Sequence, residues 1–194
     1  MKTMTSTYCM ADGQGLALAM GHYYGLPTFG MAGCTDSKVL DMQAGAEIGM
    51  NLLLQTLEGG HLIHDLGFMD SGMQGSLALM AICNDWIDWI RHATAGVDVS
   101  QDAMAMDVVH ELGPGGDYVS HPHTLAHCRD GCYPPLVDFW NYDRWVEQGS
   151  PDMTQRASRL VARILEEHEV EPLPQDVQRD VHSVVEREFE RIGG

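Results

Sequence analysis

The sequence predicts an α/β fold in which parallel strands are covered by helices and followed by a helical tail. Residues 13–96 alternate helix, strand, loop, helix, strand, loop, helix, the βα repetition that builds a parallel sheet. The two strand runs, 27–33 and 61–67, are apolar throughout rather than alternating, as parallel strands buried on both faces are. Beyond residue 96 the strand runs stop, and helical spacing and Gly/Pro-punctuated loops take over.

Residues 1–12 carry no pattern. GQGLALAMGHYYG (13–25) reads as a helix of small and apolar residues, ended near Gly25 and Pro27. PTFGMAG (27–33) is the first strand and CTDSK (34–38) a polar loop. VLDMQAGAEIGMNLLLQTLEGG (39–60) is a long helix with Gly59-Gly60 as its stop. HLIHDLG (61–67) is the second strand, and FMDSGMQG (68–75) a Gly-rich loop. SLALMAICNDWIDWIRHATAG (76–96) is an apolar helix closed by Arg91, His92 and Gly96. Residues 100–113 have helix spacing with Ser100 as N-cap. Residues 114–135 form a loop-rich stretch and 136–148 a short aromatic helix, whose Phe139, Trp140, Tyr142 and Trp145 are expected to pack on the core. Helices at 151–170 and 174–192 follow, joined stiffly by EPLP (171–174). The expected organisation is an unpatterned N-terminus (1–12), partial βα units (13–96), and a remaining sheet edge with C-terminal helices (97–194), all one domain.

The 194 residues, 44% hydrophobic, can bury a sizeable core. A formal net charge of −17 repels phosphate backbones and anionic lipid, so neither nucleic acid nor a membrane surface is an expected partner. No apolar run reaches membrane-spanning length, and the N-terminus lacks a signal-peptide pattern, so a cytoplasmic location is expected. Five cysteines (Cys9, Cys34, Cys83, Cys128, Cys132) without that signal read as reduced thiols. Thirteen methionines read as flexible core filler.

In parallel α/β folds, function collects in the loops after strand C-termini. Here these hold Cys34, Thr35, Asp36, Ser37 and Lys38, then His64, Asp65, Asp70 and Ser71. A polar His ending a buried strand must find a partner there. Asp36 and Asp70 also suit capping of the next helices. His121, His123, His127, Cys128 and Cys132 supply enough N and S ligands for zinc, which would fit a zinc-dependent hydrolase. Their spacing matches no standard finger or knuckle, so a surface loop or subunit contact is the expectation and no metal site is assigned. No nucleophile elbow, P-loop or dinucleotide fingerprint occurs.

Four stretches, in order, resemble the trimethylamine methyltransferase family, which includes glycine betaine:corrinoid methyltransferases. They are HYYGLPTFGMAGCTDSKVLDMQAGAE (22–47), GGHLIHDLGFMDSGMQGSLA (59–78), ELGPGGDYVSHPHTLAH (111–127) and EPLPQDVQ (171–178). The resemblance implies the C-terminal portion of a TIM (β/α)8 barrel followed by an α-helical tail, in a chain much shorter than family members. It implies transfer of a methyl group from a methylated amine to the Co(I) of a corrinoid (cobalamin) carried on a separate partner protein, with no cofactor held tightly by this chain. His64 is then the catalytic residue, and Asp36, Asp65, Asp70 and Ser71 bind substrate. No pyrrolysine is written in the sequence, which favours the glycine betaine-like branch. The competing expectation is an inactive barrel fragment that associates with itself or with a missing half-barrel through strands such as HLIHDLG; a homo-oligomer is expected in either case.

Overall fold

A computed structural model describes residues 13–193. The unpatterned residues 1–12, with Cys9, and residue 194 lie outside the described residues. The chain divides into two compact units, one up to Val161 and one from Ala162.

In the first unit, strand β1 (Phe29–Met31) and strand β2 (Leu62–His64) pair in parallel, with Phe29 opposite Leu62, Gly30 opposite Ile63 and Met31 opposite His64. Helix α1 (Gly15–Tyr23) precedes β1, α2 (Met42–Leu57) connects the strands, and α3 (Leu77–Thr94) follows them. The expected parallel βαβ unit is therefore present, with shorter strands than the apolar runs. Helix α2 forms because Ala44, Ile48, Asn51, Leu52 and Gln55 fall on one stripe at i, i+4, i+7, i+8 and i+11, all of it buried. Asp41 caps its start by accepting from Ala44 N at 3.0 Å. Its end is a Schellman turn: Gly59 (φ +71°) donates to Thr56 O and Gly60 to Gln55 O, both at 3.2 Å. On α3, Ser76 accepts from Leu79 N at 3.2 Å, and Arg91 and His92 occupy the last turn.

The sheet is covered on one face. A Cβ at Gly30 would lie 2.1 Å from Gln55 Oε1, so the absent side chain lets α2 sit directly on β1. Strand alternation puts Phe29, Met31, Leu62 and His64 on the opposite face. There Phe29 is 66% and Leu62 64% exposed. This corrects the expectation of burial on both faces. An apolar run reports that a strand avoids water, not which neighbours cover it.

The main core joins Ala32, Ile48, Leu52, Met69, Leu79 and Cys83 between the sheet, α2 and α3. A smaller one joins Ile82 and Leu136 to Ala157 of α8 (Met153–Glu167). Among the described residues Met69 is the methionine in the buried core, whereas Met42 and Met73 are 92% and 82% exposed; filler was the wrong reading for most of them.

Three loop expectations change. Residues 68–75 form a small antiparallel hairpin, β3 (Phe68–Met69) and β4 (Gln74–Gly75), around a 3₁₀ turn at Asp70–Gly72. The helix expected over 100–113 breaks into α4 (Gln101–Met104) and α5 (Met106–Leu112), because Ala105 adopts the left-handed conformation (φ +48°); Ser100 is the N-cap as expected, accepting from Ala103 N at 3.2 Å. The loop-rich stretch contains α6 (Pro122–His127). The aromatic helix shrinks to α7 (Tyr142–Glu147), and Phe139, Trp140 and Tyr142 stay exposed instead of packing on the core. The Arg144 guanidinium sits 3.4 Å from the Trp140 ring centroid, a cation–π pair. The second unit holds the end of α8 and α9 (Gln175–Gly193), with Gln178 Nε2 donating to Leu173 O at 2.6 Å. No described helix is long and apolar enough to cross a membrane.

Asp85 of α3 is buried and accepts from Leu136 N at 3.0 Å. Burial pushes its carboxyl above the ordinary value of 3.8, and the Leu136 N–H offsets part of that. The folded state therefore holds the proton more tightly than the unfolded chain, and stability falls as pH rises from about 3.8 into the raised range. Urea unfolding at pH 4 and pH 7 should show Asp85→Asn, which keeps the acceptor without the charge, at least as stable as the parent at pH 7. Asp85→Ala, which orphans the Leu136 N–H, should lose about 1–3 kcal/mol.

Candidate functional site

The loops leaving β1 and β2 run on together past the end of the sheet. Ala32 N donates to His64 O (3.1 Å), Gly67 N to Gly33 O (2.9 Å), Thr35 N to Phe68 O (3.0 Å) and Asp70 N to Ser37 O (3.1 Å). Two residues of α2 secure the first loop from beneath. The fully buried Asn51 accepts from Gly33 N and donates to Cys34 O, both at 2.8 Å. Glu47 Oε2 accepts from Thr35 Oγ1 at 2.6 Å and from Asp36 N at 2.9 Å. From α3, Cys83 Sγ donates to Gly33 O at 3.4 Å.

On this frame the five sequence-predicted residues and Lys38 fall into three couples. His64 Nδ1 lies 2.8 Å from Asp65 Oδ1, both half-buried, and the imidazole stacks on Phe29 with centroids 4.2 Å apart and planes at 16°. With Nδ1–H donated to Asp65, Nε2 carries the lone pair. Ser71 Oγ donates to Asp36 Oδ1 at 2.8 Å. Lys38 Nζ pairs with Asp70 Oδ1 at 3.2 Å and donates to Asp36 O at 2.7 Å. Neither Asp36 nor Asp70 caps a long helix; Asp41 and Ser76 do.

The backbone here is strained. Of the five described non-glycine residues with positive φ, Asp65 (71°), Asp70 (49°) and Ser71 (59°) all lie in the second loop. Such conformations cost on the order of 1–3 kcal/mol each and persist where the surroundings over-determine them, commonly at functional sites. The thiols in the frame are not nucleophiles. Desolvation pushes both Cys34 and Cys83 up to about 12, with the Asp65 charge adding to the effect at Cys34.

Sequence reasoning missed Glu47, Asn51, Lys38 as an ion-pair partner, and Phe29. For Asn51 a signal existed: it is a polar residue on the apolar stripe of α2. A cleft of about 270 Å³ lies in the helix layer between α2, α3 and the start of α8, and none of the five predicted residues lines it.

The His/Cys cluster separates. His123 and His127 come together with Asp102, their ligand-type atoms all within 4.8 Å of one another. His121 instead accepts from His123 N at 3.1 Å, and Cys128 Sγ donates to Leu125 O at 3.3 Å.

Residues 7–193 match the family model described as trimethylamine methyltransferase (MTTB). The chain is 33% identical over 174 residues to a trimethylamine methyltransferase MttB of Desulfitobacterium hafniense, covering 90% of this chain and 35% of the relative. It is 30% identical to MttB2 of Methanosarcina mazei, covering 87% and 34%. With a glycine betaine methyltransferase of Desulfitobacterium hafniense the identity is 27%, covering 90% and 36%. The chain thus spans about a third of the length of the curated relatives it matches.

Replacing Asn51 with Leu keeps the volume but leaves Gly33 N–H and Cys34 C=O without their partner. A loss of about 1–3 kcal/mol for each orphaned group is expected in chemical denaturation. Hydrogen exchange should show the Gly33 amide losing protection before the amides of α2.

Proposed function

The chain belongs to the trimethylamine methyltransferase family, and on that premise we propose that it forms the substrate-binding part of a methyltransferase. The enzyme moves a methyl group from a quaternary or tertiary methylated amine, glycine betaine-like, to a corrinoid carried on a separate protein. In this reading β1, α2 and β2 are late βα units of a TIM barrel and the later helices its tail. Phe29, Met31, Leu62 and His64 then face the barrel interior. The observation that carries the reading is the arrangement at the strand ends: Asp36, Asp65 and Asp70 stand on two laced loops, and Asp65 pairs with an imidazole stacked on an aromatic ring.

The Co(I) of the partner's corrinoid supplies the nucleophile, so the chain needs no nucleophile of its own. Its residues have to hold a cation and aim one methyl group. Asp65 and Asp36 attract the charged nitrogen, and the Phe29 face suits N-methyl groups. His64, fixed by Asp65 on one side and Phe29 on the other, sets the orientation of the substrate. A quaternary nitrogen departs as a neutral amine, so no proton need be supplied. A tertiary amine departs neutral when it binds as its ammonium ion and keeps that proton, and the Asp65 and Asp36 carboxylates suit the charged form. The Lys38–Asp70 and Ser71–Asp36 contacts hold the two loops at one spacing.

A second reading rests on the open sheet face. Phe29 and Leu62 stay exposed, and β1 and β2 pair only with each other among the described residues. A surface of that kind associates, with a second copy or with further strands of a barrel. Sedimentation of the 194-residue chain tests it: a self-associating species is expected, and a monodisperse monomer counts against it.

The methyl-transfer reading is tested by exchanging this sequence for the matching third of the glycine betaine methyltransferase relative. Cobalt methylation is then followed by absorbance with glycine betaine, trimethylamine and related amines. Methylation with at least one amine is expected; none with any tertiary or quaternary amine, in a folded chimera, overturns the reading. In the active chimera His64→Ala should lower the rate by about 10²-fold, the scale of a lost positioning group, and an unchanged rate removes His64 from the site.

A further inference from the structure

We propose that Asp102, His123 and His127 form a binding site for one divalent transition-metal ion of the Zn²⁺ type, tying α4 to α6. This site is independent of the strand-end loops and of the methyl-transfer reading.

The two imidazoles stand at i and i+4 on α6, on one helix face, with ring centroids 4.4 Å apart. Asp102 reaches them from α4: its Oδ2 is 3.3 Å from His127 Nε2 and its Oδ1 is 3.6 Å from His123 Nε2. Bonds of about 2.0–2.1 Å at the tetrahedral angle set ligand atoms about 3.3 Å apart. The carboxylate is therefore already close to ligand spacing from each nitrogen, and all three groups lie within 4.8 Å of one another. Asp102 O accepts from His123 Nε2–H at 2.9 Å, so His123 ligates through Nε2 once its proton moves to Nδ1.

The Nδ1 side of His127 is held by a carboxylate. Asp130 Oδ2 lies 2.6 Å from His127 Nδ1. An Nδ1–H held by a carboxylate leaves Nε2 as the lone-pair nitrogen, and Nε2 is the atom that faces Asp102. Carboxylate–imidazole pairs of this kind orient metal-binding histidines. Two imidazoles and a carboxylate suit Zn²⁺ and its neighbours better than Mg²⁺ or Ca²⁺, which take oxygen ligands. The two charges of Asp102 and Asp130 balance the dication.

A separate observation says what the ion would do. Helices α4, α5 and α6 contain no buried residue. A segment with no core of its own depends on polar cross-links, and a metal ion bridging two elements is the strongest of these. The αL residue Ala105 ends α4 after one turn, so that the helix carrying Asp102 is set independently of α5. The two cysteines of the sequence cluster take no part, which is why no known zinc spacing matched it.

The test is a Zn²⁺ titration of the full 194-residue chain, stripped of metal, against a competing chromophoric indicator. One ion per chain is expected. His127→Ala and His123→Ala should each weaken binding at least tenfold, with circular dichroism unchanged. Asp130→Asn, which removes no ligand atom but alters the partner of His127 Nδ1, should weaken it about 10–100-fold. Cys128→Ser/Cys132→Ser should bind as the parent does. Added Zn²⁺ should slow hydrogen exchange across 100–130 in the parent and leave it unchanged in His127→Ala. No binding at 100 µM Zn²⁺, binding unaffected by both histidine variants, or binding abolished in the double cysteine variant would each overturn the proposal.

Discussion

The buried amide of Asn51 stands at the point where a parallel sheet meets its hardest problem. Strand pairing satisfies backbone groups only as far as the ladder runs. Beyond Met31 the chain stays buried for several residues, and Gly33 N–H and Cys34 C=O still need partners. One side chain supplies both, from the helix that also covers the sheet. Because the amide is itself fully enclosed, it fixes the loop's height above α2 as firmly as a further strand would. Glu47, one turn earlier on the same helix, does the same for Thr35 and Asp36. The geometry of the carboxylates that follow is thus set by α2.

That rigidity explains how the second loop can hold Asp65, Asp70 and Ser71 in left-handed conformations. Each would relax if the loop were free. The backbone bonds from Gly67 to Gly33 and from Asp70 to Ser37 leave no room to relax, since any rotation would break a contact with the supported loop. The strain is therefore borne by the pair of loops and not by either alone, and the Ser71–Asp36 and Lys38–Asp70 couples close the arrangement on its solvent side.

The sequence made the βαβ unit legible because apolar runs and glycine stops carry local meaning, as Gly59 does within a few residues of where it stands, whereas the caps fell to Asp41 and Ser76 and not to Asp36 and Asp70. The strand-end positions of Asp36 and His64 were legible for a related reason, being polar residues at the close of apolar runs. What stayed hidden depends on distance along the chain. Glu47 and Asn51 look like ordinary helix residues until the loop they hold is laid over them. The grouping of His123 and His127 with Asp102 was obscured by the nearer cysteines, since proximity in sequence drew 121–132 together while the fold brought in a residue from an earlier helix. The break at Ala105 has no compositional mark, alanine being the best helix former. The hairpin at 68–75 has strands of two residues, too short for any period to register.

The depth at which Cys34 and Cys83 lie decides how the chain weathers oxidants. A thiol held up to about 12 has roughly one part in 10⁵ as thiolate at neutral pH, and thiolate is the form that peroxide and disulfides attack. Both sulfurs are fully buried and stay out of that chemistry while the frame is folded. Ageing therefore begins at the periphery, on the exposed thioethers of Met42 and Met73 and on the exposed Cys128, while the frame beneath the strand-end loops keeps its reduced state for as long as it stays folded.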